Sequence, residues 1–214
     1  VDLSVTFQDE VRKAGEEITA NVKAAYFFGA PVSGLSLHWT LYASDTYFSI
    51  PGGFQTGKAS TGWYRSGWYY GGYSSLGDYI VEGDAVTDAD GNLVVPIDLD
   101  ILNEKIDPQV PQNLTLEVTV KDQTELTVSG RASMTLHPSD VYIGVKPDQW
   151  GGQAGDEIGF TVKVVDWYQS PSAGRAFTAS FSKITWVESE TVNPYTGWAE
   201  ITPEFELVGS TNFT

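Results

Sequence analysis

The most unusual stretch of the sequence is rich in aromatic side chains and glycine. It runs from Gly62 to Tyr79, and its 18 residues include seven aromatic residues and five glycines. Aromatic rings on a loop can stack on sugar rings or anchor a protein interface. They can also form the local core of an inserted hairpin that folds over its own domain. All three interpretations stay open, and they define one candidate contact surface: Trp63, Tyr64, Trp68, Tyr69, Tyr70 and Tyr73.

A second group of polar residues has the spacing of a calcium loop. Asp88, Asp90 and Asn92 flank Gly91, but a calcium loop needs a further acid and a bidentate Glu on helical flanks. Here a strand-like run follows, so a tight turn stabilised by Asp side chains is the favoured interpretation. Asp98 and Asp100 are two residues apart on the expected strand, which predicts one solvated face for both.

The sequence contains no recognisable catalytic constellation. The two histidines, His38 and His137, are not accompanied by a nucleophile motif such as G-x-S-x-G. There is no cysteine, which excludes disulfides, thiolate metal sites and a cysteine nucleophile. We therefore expect a protein that is not an enzyme, with no catalytic residues, no cofactor and no metal.

The net charge of the chain limits the classes of molecule that it is expected to bind. Lys plus Arg number 12 and Asp plus Glu number 28, which gives a formal net charge of −16. Nucleic acid is therefore not expected as a partner, because phosphate binding needs clustered Lys and Arg. No apolar run reaches the 18 or so residues of a membrane span, so the chain is not expected to cross a membrane.

Along most of the chain, apolar residues alternate with polar ones, which is typical of strands with one buried face. The alternating runs are Leu3–Phe7, Ile18–Val22, Leu35–Leu41, Leu93–Leu99, Leu114–Val120, Ala132–Leu136, Val141–Val145, Ile158–Val164 and Phe177–Phe181. Short strands separated by turns predict an all-β fold of antiparallel sandwiches. The only helical candidate is Leu99–Ile106, a short run that Pro108 stops and that periodicity alone cannot assign.

A domain boundary is predicted near His137-Pro138-Ser139. Residues 1–137 form one predicted sandwich with an aromatic-rich insertion around 44–86, and residues 138–214 form a second. Ala-Gly-acid-Glu-Ile recurs at 14–18 and 154–158, each time as a turn into the second strand of a hairpin. This weak internal repeat indicates two similar domains in tandem.

Several motifs resemble those of the bacterial α2-macroglobulin family. The stretch AAYFFGAPVSG at residues 24–34, followed by LHWTL at 37–41, is similar to a signature of its macroglobulin-like domains. TDADG at 87–91 resembles their hairpin turn, and PSDVYIG at 138–144 resembles the entry into the next domain. The resemblance implies tandem immunoglobulin-like or fibronectin III-like macroglobulin domains from the N-terminal scaffold. The sequence departs from the family pattern after Asp166, where residues 167–174 are expected to form a longer insertion than the family's short turn.

The family resemblance also implies a function. Its members trap proteases: a bait region is cut, the molecule changes shape, and in many members a Cys–Gln thioester bonds the protease. Since this chain has no cysteine and no segment typical of a bait loop, it is expected to be a scaffold fragment of a broad-spectrum endopeptidase inhibitor. Its expected partners are neighbouring macroglobulin-like domains and, through the parent protein, proteases. The family expectation for location is periplasmic or extracellular, in the bacterial cell envelope, often as a lipoprotein.

The aromatic-rich stretch and the number of strand-like runs lead to two further expectations. The alternative function is an extracellular carbohydrate-binding or adhesin module, with Trp63, Trp68 and Tyr70 as the stacking platform. Residues 138–214 contain only four or five strand-like runs, at 141–146, 157–166, 175–181 and 183–190 with a fifth candidate at 199–208, whereas a complete sandwich of this type has about seven strands. The second domain is therefore expected to be truncated or completed by a neighbouring chain, because missing strands leave core and edges exposed.

Overall fold

The structure of the chain is a computed structural model. It describes residues 1–57, 76–121, 127–153, 155–192 and 199–214. These residues form 13 strands and one short helix. The all-β prediction from the sequence is therefore confirmed.

The strands alternate between buried and exposed positions, as the period of two predicts. In chain order they are β1 (Asp2–Phe7), β2 (Val11–Lys13), β3 (Ile18–Ala25), β4 (Ser36–Asp45), β5 (Gln55–Thr56), β6 (Asp78–Val86) and β7 (Asn92–Ile97). Helix α1 (Leu99–Lys105) follows, and then β8 (Gln112–Lys121), β9 (Thr127–His137), β10 (Tyr142–Pro147), β11 (Phe160–Val165), β12 (Phe177–Val192) and β13 (Ala199–Phe213).

Two sheets form a sandwich in the N-terminal half. One sheet has the strand order β1-β3-β7, and the other has the order β2-β9-β8-β4-β6. All neighbours are antiparallel except β2 and β9, which run parallel. Their inward side chains share one apolar core, which includes Leu3, Val5, Ile18, Val22, Leu37, Leu41, Ile80, Val95, Leu114, Leu116, Val118 and Met134. Burial of this core is the main favourable contribution to folding of the sandwich.

A glycine allows the two layers to approach closely. A Cβ atom added to Gly130 on β9 would lie 2.8 Å from the carbonyl oxygen of Leu3 and 2.9 Å from Cγ2 of Val5. Backbone and core atoms of β1 therefore occupy the space that a side chain would need. This position is restricted by packing rather than by backbone conformation.

The helical candidate is a helix, so Asp98 and Asp100 do not share a strand face as predicted. Both are exposed, as expected. Oδ1 of Asp98 accepts hydrogen bonds from the backbone N–H groups of Asp100 and Ile101, so Asp98 is the N-cap of α1. Leu102 on the helix is fully buried in the core. A buried Leu and a capping Asp thus stabilise a helix that periodicity left ambiguous. No helix in the described ranges is long and apolar enough to cross a membrane.

The Asp-rich turn before β7 is confirmed as a tight turn. Oδ1 of Asp88 accepts hydrogen bonds from the N–H groups of Asp90 at 2.9 Å and of Asn92 at 2.8 Å. Gly91 has a φ of 76°, which glycine adopts without steric strain. The carboxylate of Asp88 therefore organises the turn into β7.

The C-terminal half, residues 138–214, contains four strands in its described part. β10 and β11 pair antiparallel, and β5 from the N-terminal half adds to the other edge of β10. β12 and β13 form a separate long hairpin. The sequence separates residues 175–181 from 183–190, but the structure joins them in one strand, with a β-bulge opposite the junction of Phe181 and Ser182.

The two halves match each other more closely in structure than the sequence repeat indicates. β1 pairs with β3 from Asp2↔Ala25 to Phe7↔Ala20, and β10 pairs with β11 in the same register 140 residues later, from Tyr142↔Val165 to Pro147↔Phe160. The turn glycines Gly15 and Gly155 both have positive φ and have the same separation. The two halves therefore begin with the same hairpin.

The turn after each hairpin also repeats, so the expectation of a longer insertion after Asp166 was wrong. In the first turn the N–H of Tyr26 donates to the carbonyl of Ala30, and in the second the N–H of Asp166 donates to the carbonyl of Ser170. The isolated bridges Ala25↔Pro31 and Val165↔Pro171 close the two turns at the same length. The second turn has Gln169 at φ 65° where the first has Gly29.

Substitution of Gly130 tests the packing of the sandwich. We expect Gly130→Ala to lower the free energy of unfolding by about 1–3 kcal/mol, because the new methyl group meets backbone and core atoms of β1. Gly151→Ala is the matched control, since a Cβ atom there has no neighbour within 4 Å among the described residues. Urea unfolding of both variants measures the difference, and equal stability of the two would contradict the close packing of β9 on β1.

Candidate functional site

Within the described residues, a contact of backbone and aromatic side chains joins the two halves. After β4 the chain leaves the N-terminal sandwich, and residues 46–57, here called the inserted segment, cross to the C-terminal half. Within this segment Ile50 and Phe54 bridge a turn formed by Pro51, Gly52 and Gly53. The segment ends in β5, which pairs with β10 through Thr56↔Gly144 and Gln55↔Val145. The N-terminal half therefore contributes a strand to the sheet of the C-terminal half.

Apolar side chains of the inserted segment pack on the same sheet. The rings of Phe48 and Tyr142 are stacked, with centroids 3.8 Å apart and planes at 9°. Ile50 is buried beside Tyr142 and Val165. We call the group Phe48, Ile50, Phe54, His137, Tyr142, Val165 and Trp167 the junction cluster.

Gly144 on β10 makes room for this packing. A Cβ atom added there would lie 2.8 Å from Cδ1 of Ile50 and 3.0 Å from Cβ of Phe54. The inserted segment thus lies directly on the backbone of β10. Backbone pairing and side-chain packing hold the same twelve-residue segment, 46–57, in place.

His137 lies at the centre of the junction cluster, at the end of β9. Its ring is stacked on Trp167 with centroids 4.8 Å apart, and it meets Tyr142 edge-on. Nδ1 of His137 is 2.7 Å from the hydroxyl oxygen of Tyr142, and Nε1–H of Trp167 donates to the carbonyl of Ser139 at 2.6 Å. The last residue of the sandwich is therefore fixed by side chains from β10 and from the turn after β11.

Burial changes the titration of both hydrogen-bonded partners. Loss of solvent lowers the pKa of His137, because the charged imidazolium is disfavoured in a buried site. The same cause raises the pKa of Tyr142 to about 12. The hydroxyl of Tyr142 is thus protonated at neutral pH and can donate to Nδ1 of a neutral His137. This arrangement is a structural hydrogen bond.

Charged groups surround the apolar cluster. Nζ of Lys163 lies 4.5 Å from the ring centroid of Phe54, and Nζ of Lys146 lies 5.9 Å from it. Across the junction of β9 and β10, the guanidinium of Arg175 donates to Asp140 at 2.8 Å. This hydrogen bond is the main cause of the lowered pKa of Asp140, and both side chains are about half exposed. Such exposed pairs add little stability, so the apolar cluster dominates the contact.

The predicted contact surface lies outside the described residues. Trp63, Tyr64, Trp68, Tyr69, Tyr70 and Tyr73 fall in the range 58–75. At the end of that stretch, Tyr79 is half exposed on β6, with Nζ of Lys105 4.9 Å from its ring centroid. The contact surface, the glycan interpretation and the domain limits therefore stay predictions.

The inserted segment lies within the predicted insertion around 44–86, but its pairing with β10 is not predicted from the sequence. A local signal was present: Pro51-Gly52-Gly53 is strong turn chemistry, and the apolar residues Phe48, Ile50 and Phe54 flank it. The sequence places His137 at the predicted domain boundary, before Pro138, but does not predict its contacts with Tyr142 and Trp167. Contacts across 80 or more residues cannot be read from such local patterns.

The other polar candidates do not converge on a reaction centre. His38 on β4 is paired across the sheet with β6, with Nδ1 2.9 Å from Oδ1 of Asp84. His38 and His137 lie on different parts of the molecule. No group of three or more His, Asp or Glu side chains that could hold a metal ion occurs among the residues described by the structure.

Comparison with solved structures finds bacterial alpha-2-macroglobulins. A crystal structure of the Salmonella protein matches 99% of this chain with a TM-score of 0.57 at 16% sequence identity. The native conformation of the E. coli protein matches 99% of the chain with a TM-score of 0.57 at 15% identity. E. coli alpha-2-macroglobulin activated by porcine elastase matches 99% with a TM-score of 0.55 at 15% identity.

These similarities concern the fold. The chain spans 14% of the length of the Salmonella and native E. coli structures and 19% of the elastase-activated one, so it is similar to a short part of each. No protein-family model matches this chain, and no curated protein matches its sequence. The structural likeness supports a macroglobulin-like β-sandwich arrangement.

Removal of the Phe48 ring tests the junction. We expect Phe48→Ala to destabilise the contact by about 1–3 kcal/mol, because it removes the stacked partner of Tyr142 from a partly buried site. Amide hydrogen exchange of residues 46–57 and of β10 measures the effect. Phe27→Ala, at an 87% exposed phenylalanine, is the matched control. Unchanged exchange in Phe48→Ala would contradict the role of the stack.

The burial of the His137 imidazole predicts that the stability of the fold depends on pH. Because the pKa of His137 is lowered below its usual value of 6.5, the unfolded chain binds more protons than the folded chain at mildly acidic pH. The stability that this neutral histidine contributes is present above about pH 6.5 and is lost as the pH falls below it. We expect the melting temperature to fall more between about pH 7.5 and pH 5.5 in the wild type than in His137→Asn. A parallel pH profile of the variant would contradict this linkage.

Proposed function

We propose that this chain is a structural part of the scaffold of an α2-macroglobulin-like, broad-spectrum protease inhibitor. Protease trapping is an activity of the parent protein, and this chain carries no catalytic step. Its role is to hold two adjacent macroglobulin-like sandwiches in a fixed relation. The proposal also places the parent in the bacterial cell envelope, in the periplasm or outside the cell.

One observation carries this proposal. The likeness to bacterial alpha-2-macroglobulins extends over 99% of the chain, so a single alignment includes both halves and the junction between them. A likeness of one sandwich alone would fit many unrelated extracellular proteins, because the sandwich architecture hosts many functions. The arrangement of two successive units makes a scaffold of repeated domains the best-supported candidate.

The junction supports the structural role within that scaffold. Flexible linkers join most domains, and relative motion is then the default. Here a strand pairing, the Phe48–Tyr142 stack and the buried His137–Tyr142 hydrogen bond connect the halves at three points. Such a contact resists rotation of one half against the other, as a scaffold that transmits a shape change requires.

Neighbouring macroglobulin-like domains are the proposed partners of this chain, and proteases are partners of the parent. The proposed test uses the intact parent protein incubated with elastase or trypsin. We expect cleavage of a large protein substrate to stop while a small peptide substrate is still cut, because a caged protease is shielded only from large molecules.

Substitution of Phe48 in the parent protein tests whether this chain contributes to trapping. Phe48→Ala in the parent should lower the fraction of trapped protease, because the two sandwiches lose their fixed relation, whereas Phe27→Ala should not. Equal inhibition of small and large substrates would indicate an active-site inhibitor instead of a trap. No inhibition of either substrate by the unmodified parent would overturn the proposed function.

A further inference from the structure

His137 is the titratable group at which the two halves of the molecule meet. It is 6% exposed, and its backbone at the end of β9 pairs with Lys13 of β2. Its ring contacts Phe48 of the inserted segment, Tyr142 of β10 and Trp167 of the turn after β11. A change in the charge of this one ring therefore acts on both halves at once.

The hydrogen bond of His137 favours the neutral ring. Nδ1 of His137 is 2.7 Å from the hydroxyl oxygen of Tyr142, and burial raises the pKa of this hydroxyl to about 12, so it keeps its proton at neutral pH. A neutral ring accepts a hydrogen bond at Nδ1, whereas an imidazolium carries a hydrogen there and accepts none. To accept from the imidazolium, the hydroxyl would have to turn its own hydrogen away, although Tyr142 is buried. A buried donor without a partner is costly.

The elements packed around His137 supply no free negative charge to balance a proton. The inserted segment, 46–57, contains no charged residue, and β2 carries the cations Arg12 and Lys13. Glu10 before β2 is exposed to solvent. Within the described residues, the other acids of the adjoining segments are engaged elsewhere: Asp9 and Glu16 with Arg12, Asp45 with Gln112, Asp140 with Arg175, and Asp166 with the N–H groups of Tyr168 and Ser170. Burial is therefore the cause of the lowered pKa of His137.

The indole of Trp167 is the neighbour of His137 that favours a cation. Its ring is stacked on the imidazole with centroids 4.8 Å apart, and an indole face attracts a positive charge. This attraction does not compensate for the lost hydration, because the pKa of His137 is lowered and not raised. A proton on His137 is therefore better accommodated when the cluster opens and water reaches the ring.

The inserted segment is the part of the junction that can withdraw. Its ladder with β10 has two residue pairs, and β5 is the shortest of the described strands. A hydrogen bond from Nε2 of Gln169 to the carbonyl of Ser49 also holds it, but its length of 3.4 Å makes it weak. The packing around His137 therefore decides whether the segment stays on β10.

We propose that the junction cluster is a pH-sensitive fastening between the two halves. Protonation of Nδ1 of His137 ends its acceptance of the hydrogen bond from Tyr142. Phe48 and the inserted segment then leave β10, and the C-terminal half can move against the N-terminal sandwich. This goes beyond the proposed function, because it concerns motion within this chain and involves no protease.

The direction of the pH effect follows from the two environments of the ring. In the fastened state the pKa of His137 lies below its usual value of 6.5, and in the released state, where water reaches the ring, it returns to that value. Protonation therefore favours release, so the fastening is fully present above about pH 6.5 and weakens as the pH falls below it. A single proton changes this equilibrium by at most about tenfold per pH unit.

Amide hydrogen exchange of the 214-residue chain at about pH 7.5 and about pH 5.5 tests the proposal. After correction for the intrinsic exchange rates, we expect the protection of residues 46–57 and of β10 to fall by about three- to tenfold at the lower pH, because the released state is then more populated. Protection of β8 in the N-terminal core should not fall with it, since that core is separate from the junction cluster.

The chain has two histidines, so one provides the matched control for the other. His137→Asn should show the same protection of the inserted segment at both pH values. His38→Asn, at a partly exposed partner of Asp84, should keep the loss seen in the wild type. Tyr142→Phe removes the donor to Nδ1, so it should raise the pKa of His137, measured from the NMR signal of its ring, and move the release to higher pH.

The combined results decide whether the fastening exists. Loss of protection in the wild type and in His38→Asn, but not in His137→Asn, supports it. No loss in the wild type, or an equal loss in His137→Asn, overturns it. An equal loss in β8 and in residues 46–57 indicates acid unfolding of the whole molecule and overturns it too. A pKa of His137 that is the same in Tyr142→Phe overturns the role given to the hydrogen bond.

Discussion

The arrangement of the molecule depends on the stacking of Phe48 on Tyr142 and the strand pairing beside it. Each residue comes from a different half, and the ring centroids are only 3.8 Å apart. The N-terminal sandwich has its own core and does not need this contact. The β10–β11 hairpin does, because a two-stranded hairpin is only marginally stable in water without further strands or packing. The inserted segment provides a third strand and an apolar cover on one face.

Much of the fold could be predicted from the sequence because it is local. The alternation of apolar residues predicts most of the strands. The spacing of Asp88, Asp90 and Asn92 predicts a turn, which hydrogen bonds to Asp88 organise in the structure. The role of Asp98 is not predicted, because an aspartate can lie on a strand or cap a helix, and only the burial of Leu102 decides between the two. The bulge opposite Phe181 and Ser182 is not predicted either. It shifts the alternation of apolar residues by one position, and such a shift resembles the end of one strand and the start of another.

The candidate site could not be predicted in the same way, because its parts are distant in sequence. His137 is near Phe48 only after two β-sheets have formed. The repeat was detectable from Gly15 and Gly155, but its constant spacing became clear only from the paired registers. The same repeat shows how two similar halves differ: Val5 lies in a closed core at 8% exposed, and Val145, the equivalent residue of the other half, is 38% exposed.

The inserted segment also sets an order of events in folding. β5 pairs with β10 across the separation between Thr56 and Gly144, so this contact closes a long loop and forms slowly compared with local hairpins. Domains generally fold as units, the N-terminal one first during synthesis. The N-terminal sandwich can therefore fold while residues 138–214 are still being made, and its inserted segment becomes paired only when β10 has been made. In this order of steps the folded first half carries the strand that completes the small sheet of the second.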